Sequence, residues 1–318
     1  MNKVFVWSAY AVDHTLRQKS CWYKKHKKYC RRNQMSNEDA GKALAAGILS
    51  GKPLAAGRIG LFELAAMRMC EFGIEKKYQL VMDNIYNCAG FFPNDITLLD
   101  PFLKEMTSAM SEMDYLAPSE QFLENYFINH YTRKEIIISE NFELFEICKL
   151  KEAWTPALKD KKVLVVTPFA KTVEAQYKKR EFLFQGTDIL PEFQLLTYQS
   201  LLTVGELRDD RFDTWFDALE FMEKEILALD FDIALLGCGA YGFSLAARIK
   251  KAGKQAVHMG GILQILFGIM GKRWDGTRAG GEKRISKDIA PYYNEYWTYP
   301  LEEKPDEASK VEYGPYWS

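Results

Sequence analysis

Residues 231–261 read FDIALLGCGAYGFSLAARIKKAGKQAVHMGG, and the order of patterns inside this stretch decides the fold. Ile233 to Leu236 is a short apolar run, the signature of a strand buried on both faces. Gly237, Gly239 and Gly242 follow in G-x-G-x-x-G spacing. A helical pattern then begins, with Leu245, Ile249 and Ala252 on one face, Lys250 and Lys251 in its last turn, and Gly253 placed to cap it. Gln255 to Met259 reads as the next strand. Such glycines let backbone N–H groups approach a phosphate at the positive end of a helix. That end favours an anion by roughly 0.3–1 kcal/mol, about 2 when partly buried. The competing reading is a tight turn in an ordinary α/β sheet. A nicotinamide dinucleotide fits less well, because no acidic residue follows the second strand; His258, Met259, Gly260 and Gly261 stand there.

The same order recurs upstream. Leu54 to Ala56 enters a strand that ends at Gly57-Arg58-Ile59-Gly60, and a helix opens at about Phe62 with Ala65, Met69 and Phe72 as its inward stripe. Val163 to Val166 is the clearest buried strand; Thr167-Pro168-Phe169 ends it, and a helix follows with Val173, Tyr177 and Phe184 inward. Phe193 to Leu196 reads as another strand. Residues 211–229 form an amphipathic helix with Trp215, Leu219, Met222 and Ile226 at helical spacing. Further helices are expected from Ser36 or Asn37 through Ala46 and from about Leu98 to Met113. This alternation predicts an α/β fold: a mostly parallel, Rossmann-like sheet with helices on both faces.

Open parallel sheets bind ligands beyond the carboxyl ends of their strands, which makes the strand-to-helix junctions the places to search. Arg58 offers a planar fork for phosphate, and Glu63 a carboxylate for a metal or a sugar hydroxyl. A local ion pair between them, holding the turn, is the competing role. Thr167 and Lys171 bring a hydroxyl and an amine to their own junction. His258, at a strand end, is an acid–base or hydrogen-bonding candidate, or a structural histidine. Lys272 and Arg273, in GIMGKRW at 268–274, are cations near the expected cleft. NCAGFFPND, residues 87–95, is turn-rich; Asn87 and Asp95, with Asp83 and Asn84, face a sugar or simply connect elements. His130 reads as a surface or packing histidine rather than a base.

At 318 residues the chain is long enough for one large domain or two. Its 47% hydrophobic and 27% charged residues exclude a disordered chain. A net charge of −1 gives no general attraction to nucleic acid. No apolar run is long enough to span a bilayer, and the amino terminus lacks a signal-peptide core. Six cysteines without a C-x-x-C pair read as reduced thiols, which points to the cytoplasm. The block CWYKKHKKYCRR at 21–32 is a solvated arm or a peripheral contact with the inner membrane face, since each basic residue near anionic lipid is worth about 1 kcal/mol. Residues 1–35 read as an extension. Residues 36–318 read as the α/β domain, ending from about 285 in an aromatic wrap (Tyr292, Tyr293, Tyr296, Trp297, Tyr299) that is also a candidate homo-oligomer contact.

R-x-G-x-x-E at Arg58 to Glu63, NCAGFFPND, KKVLVVTPFAKTVEAQYKKR, and DIALLGCGAYG through HMGGILQILFGIMGKRW together resemble a bacterial family described as GT-D-fold-like, over roughly residues 36–318. The resemblance implies a GT-D-like domain and a glycosyltransferase of hexosyltransferase type. Such an enzyme takes sugar from a nucleotide-diphosphate donor to a glycan or lipid-linked acceptor, in surface polysaccharide or glycoconjugate assembly. It also implies that Arg58, Gly60 and Glu63 serve the donor. Characterised members read more like R-F-G-D-G-E, whose Asp and Glu serve metal and donor; here Leu61 stands in place of that Asp. One carboxylate is a thin site for Mn²⁺ or Mg²⁺, and donor diphosphate oxygens would have to complete the shell.

The expectation is then a donor held between the Arg58 turn and Gly237, Gly239 and Gly242, with Thr167, Lys171, Lys272 and Arg273 around its phosphates. Arg58, Glu63 and His258 are the catalytic candidates. Two rivals stand beside it. One is a non-catalytic nucleotide or sugar-phosphate binding scaffold, which Leu61 favours. The other is an NAD(P)-dependent oxidoreductase, motivated by the glycine spacing.

Overall fold

The computed structural model describes residues 33–73, 78–277, 282–302, 304, 305, 314, 316 and 317. The basic block at 21–32, and with it nearly all of the expected extension, lies outside the described residues. Seven strands form one sheet: β1 (Leu54–Gly57), β2 (Tyr115–Leu116), β3 (Ile137–Ile138), β4 (Lys162–Thr167), β5 (Gln194–Gln199), β6 (Ile233–Leu236) and β7 (Gln255–His258). Their order is β3-β2-β1-β7-β6-β4-β5. Every pairing is parallel, as the alternation of patterns predicts.

The helices are α1 (Asn37–Leu49), α2 (Leu61–Phe72), α3 (Tyr78–Asn84), α4 (Leu99–Glu112), α5 (Glu124–Tyr131), α6 (Ala170–Tyr177), α7 (Arg180–Leu183), α8 (Trp215–Leu227), α9 (Tyr241–Lys251), α10 (Leu263–Leu266) and α11 (Lys272–Asp275). Residues alternate across the central strands and build a core on each face. Ala55, Leu164, Val166, Ala234, Leu236 and Ala256 pack with α2, α4, α8 and α9. Leu54, Val163, Val165, Ile233, Leu235 and Val257 pack with α1, α10 and the aromatic segment around Trp297. Each fully buried Val, Leu or Ile contributes roughly 1.5–3 kcal/mol, so the contiguous apolar runs of β4 and β6 belong inside the sheet, with a strand on either side of each.

Local signals place the ends of elements. Ser36 caps α1, its hydroxyl accepting from the Asp39 N–H, and Thr214 and Asp217 form a reciprocal cap on α8. Two inward positions are corrected: Ala65 is only half-buried while Leu64, Ala66 and Met67 face the core, and Ala252 is an exposed C-cap. The helix expected after β4 breaks into α6 and α7, with Phe184 buried beyond them. Residues 33–35 belong with the sheet rather than with an extension: Gln34 bridges Ile138, and the Met35 N–H donates to its carbonyl at 2.8 Å.

Candidate functional site

Because all seven strands run the same way, their carboxyl ends share one edge, and register keeps those ends level: Ala56 lies beside Val257, Leu236 beside His258, and Val166 beside Leu236. A cavity of about 160 Å³ opens there. The segments leaving β1, β4, β5, β6 and β7 line it. The Arg58 turn and the glycine turn after β6, distant in sequence, meet over this single cavity.

Arg58 is half-buried at the end of β1. Its side chain lies across Gly260, where a Cβ would sit 3.4 Å from Nε, and its guanidinium carbon is 5.6 Å from the centre of the Phe142 ring. Gly260 has φ +68°, a left-handed conformation that favours glycine, so this crossing is built into the β7 turn. Glu63, in the first turn of α2, is buried, and its carboxylate folds back over the N-cap residue Gly60, where any Cβ would collide with it. A carboxylate at that position also complements the positive helix end.

His258 is 4% exposed, packed under Gly57 and Gly242 and edge-on to Phe243 at 6.5 Å. Burial, with the nearby Arg58 charge, pushes its pKa down to about 3, against a weaker opposing pull from the Leu236 carbonyl. The ring is therefore neutral near pH 7, which leaves it a hydrogen-bonding group and not a proton donor.

The glycine turn differs from an open phosphate cradle. A Cβ at Gly237 would meet Leu263 and the Gly260 carbonyl, one at Gly239 the Ala89 carbonyl at 2.9 Å, and one at Gly242 the His258 ring. The Ala89 carbonyl also accepts the Ala240 N–H at 3.0 Å, at the mouth of α9. Close packing thus accounts for each glycine, while Gly237, Cys238 and Gly239 still present their backbone to the cavity.

Thr167 and Arg273 line the cavity as well, with Arg273 stacked 5.1 Å over Tyr316. Gly242 is not on its wall but beneath it, against His258. Lys171 is exposed and away from it, and Lys272 contributes only a backbone N–H to the Trp317 carbonyl at 3.2 Å. His130 stacks on Tyr126 at 3.9 Å, the packing role its context suggests. Among the other polar candidates, Asp83 bonds Gln79 and Asn94, while Asp95 caps Thr97; both hold local structure.

Several wall residues are not among the candidates named from sequence, although Cys88, Ala89 and Gly90 lie within NCAGFFPND. Cys88, Ala89 and Gly90 form one wall, tied to the segment after β5 by Thr203, whose hydroxyl donates to the Gly90 carbonyl and bonds the Tyr241 hydroxyl, each at 2.7 Å. Tyr316 and Trp317 close another, Trp317 packing on Phe169 at 5.2 Å. Gln264 donates to the Tyr316 carbonyl at 3.3 Å. Three buried polar atoms on residues lining this cavity have no hydrogen-bond partner: His258 Nδ1, Gln264 Oε1 and Trp317 Nε1. Each such atom costs roughly 1–3 kcal/mol unless something in the cavity satisfies it. Cys238, also on the wall, has its thiol pushed up to about 12 by burial and is not a nucleophile.

Among the described residues no group of three or more His, Cys, Asp or Glu side chains is gathered to hold a metal ion. Glu63 is the carboxylate of the cavity wall, and Leu61, half exposed at 51%, stands beside it. This donor set does not fit a protein-held Mn²⁺ or Mg²⁺. The described cysteines are free, and no described helix is long and apolar enough to cross a membrane.

The chain is an α/β protein with a cavity at the carboxyl edge of a parallel sheet. No protein-family model matches the chain, and no curated protein matches it. Two solved structures are similar in outline, a selenomethionine-substituted structure of domain of unknown function 1792 and one described as showing that this domain has a distinct glycosyltransferase fold. Each aligns at a TM-score of 0.42 over 91% of this chain and 97% of the other, with 12% and 13% identity respectively. Likeness at that level carries no weight of its own; the fold class rests on the sheet.

Proposed function

We propose that the chain is a glycosyltransferase that moves a sugar from a nucleoside-diphosphate sugar to a glycan or lipid-linked acceptor, in assembly of surface polysaccharide or another glycoconjugate. The observation that carries this reading is the convergence of the Arg58 turn and the 237–239 turn on one cavity. In the reaction, an acceptor hydroxyl oxygen bonds to the anomeric carbon. The bond from that carbon to the diphosphate breaks, the nucleoside diphosphate leaves with the bonding pair, and the hydroxyl proton passes to water. Arg58 and Arg273 offset the charge growing on the leaving diphosphate, a role that suits the planar, permanently charged guanidinium. Glu63 holds sugar or ribose hydroxyls. The uncharged parts of the donor meet Gln264 and Trp317, whose Oε1 and Nε1 have no partner within the protein.

One observation favours a second reading, a non-catalytic nucleotide or sugar-phosphate binding scaffold: Leu61, and not a second carboxylate, stands beside Glu63 on the cavity wall. Calorimetric titration with UDP-, GDP- and CDP-sugars and with NAD(P), with and without Mn²⁺, tests both. Arg58→Ala is expected to weaken donor binding at least tenfold, since hydrogen bonds to charged groups are worth about 1.5–3 kcal/mol. Donor binding with neither transfer to any acceptor nor donor hydrolysis favours the scaffold. Binding of NAD(P) alone overturns both.

A further inference from the structure

A second cavity, of about 320 Å³, adjoins the first, and Arg58, Leu61 and Arg273 line both. Its remaining walls are of a different kind. Phe142 and Ile262 border it, with Phe145, Trp274 and Met259 buried behind them, and Gln121 and Glu146 add polar groups. Glu146 is fixed by Lys149 at 2.5 Å, and the Gln121 amide donates to the Ser119 carbonyl at 3.1 Å. Among the described residues no glycine lines this cavity, and beyond the two arginines it shares with the first its polar groups are a hydroxyl, an amide and a carboxylate. An aromatic face beside an amide and a carboxylate suits a molecule with apolar ring faces and a rim of hydroxyls.

We infer that this second cavity is the acceptor site and takes a saccharide, an inference that rests on the glycosyltransferase reading. The shared wall is the reason. Transfer requires the attacking oxygen and the anomeric carbon to approach to roughly 3–3.5 Å, so the two substrates must meet at a common boundary. Here that boundary is Arg58, Leu61 and Arg273, where the diphosphate is expected to leave. The sugar ring lies against Phe142, with its hydroxyls toward Gln121 and Glu146, and Leu61 separates the two substrates.

Methyl NMR separates the cavities, because Met259 and Ile262 line the second and Val204 the first. The probes are maltose, lactose and N,N′-diacetylchitobiose for the acceptor, and UDP and GDP for the donor. At least one disaccharide is expected to shift the Ile262 and Met259 methyls. Phe142→Ala and Gln121→Ala should each weaken that binding roughly tenfold. Nucleotides that leave Val204 unmoved while a disaccharide still shifts Ile262 would defeat the donor reading and leave the saccharide pocket standing. The inference is overturned if all three disaccharides leave Ile262 and Met259 unmoved up to their solubility limits, if they shift Val204 instead, or if neither substitution changes their affinity.

Discussion

The Ser119 hydroxyl donates to the Ile59 carbonyl at 3.1 Å, inside the turn that carries Arg58. Ser119 is itself held from behind: its N–H donates to Glu124 Oε1 at 3.0 Å, and the Gln121 N–H donates to Glu124 Oε2 at 3.1 Å. Glu124 is buried at the start of α5. One carboxylate therefore fixes the loop that fixes the Arg58 turn and edges the second cavity. Glu124→Gln puts an NH₂ group against one of those two N–H donors. It is expected to lower stability by about 1–3 kcal/mol and to weaken nucleotide binding several-fold, as read by denaturant titration and calorimetry. Unchanged nucleotide affinity in that variant would break the link to Arg58.

The same group predicts a pH dependence. Burial raises the Glu124 pKa from 4.5 to about 7, against the opposing effects of the Ser119 and Gln121 N–H groups and the Arg68 charge. With the folded value raised, the folded chain binds this proton more tightly. The contribution of Glu124 to stability is thus complete below about pH 4.5 and is lost as pH rises through about 7. Glu124→Gln removes that slope, so its stability deficit should be largest in acid and shrink across that window. Urea denaturation at several pH values reads it, and a deficit that grows with pH contradicts the burial argument.

His258 gives the opposite sign. Its folded pKa, down to about 3 from an ordinary 6.5, means the unfolded chain binds the proton more tightly. Stability from this group is complete above about pH 6.5 and is lost as pH falls toward 3. The ¹³C shifts of the His258 imidazole at pH 5 should be those of a neutral ring. An imidazolium there would return it to the acid–base candidates.

Gly242→Ala isolates the packing role of the glycine spacing. The new Cβ would collide with the His258 ring, whose neighbours Gly57 and Phe243 leave it little room to move. Overpacking of this kind typically costs about 1–3 kcal/mol, so thermal denaturation should show a clear loss. Wild-type stability with reduced nucleotide affinity would instead mean that Gly242 serves the ligand.

How far the sequence carried depends on the range of the interaction that makes each feature. β4 and β6 were legible because strands buried on both faces are short apolar runs whatever they pair with, and β7 because it follows the glycine-capped helix of the central unit. β2 and β3 contribute two residues each, and only their parallel neighbours make them strands. The meeting of Arg58 with the 237–239 turn followed from parallel topology alone. Occupation of the Ala240 N–H by Ala89, and the closure of the cavity by Tyr316 and Trp317, are long-range contacts that leave no local periodicity. Glu124 left a faint signal, a lone carboxylate among inward-facing aromatic residues in QFLENYF.

Leu61 offers the sharpest test of the site, since it opens α2, lines both cavities and is 51% exposed. Leu61→Asp puts a second carboxylate near Glu63 at a helix start, where a negative charge is favourable by about 0.3–1 kcal/mol, so the variant should fold. Two carboxylates together with donor diphosphate oxygens make a hard oxygen set that Mn²⁺ or Mg²⁺ accepts. Binding of UDP or GDP should become tighter with Mn²⁺ in the variant, by about tenfold, while the wild type responds little. Titration of both chains with nucleotide, with and without Mn²⁺, reads the difference directly. Equal dependence on Mn²⁺ would show that the metal enters with the nucleotide alone, and that the residue at 61 does not decide its binding.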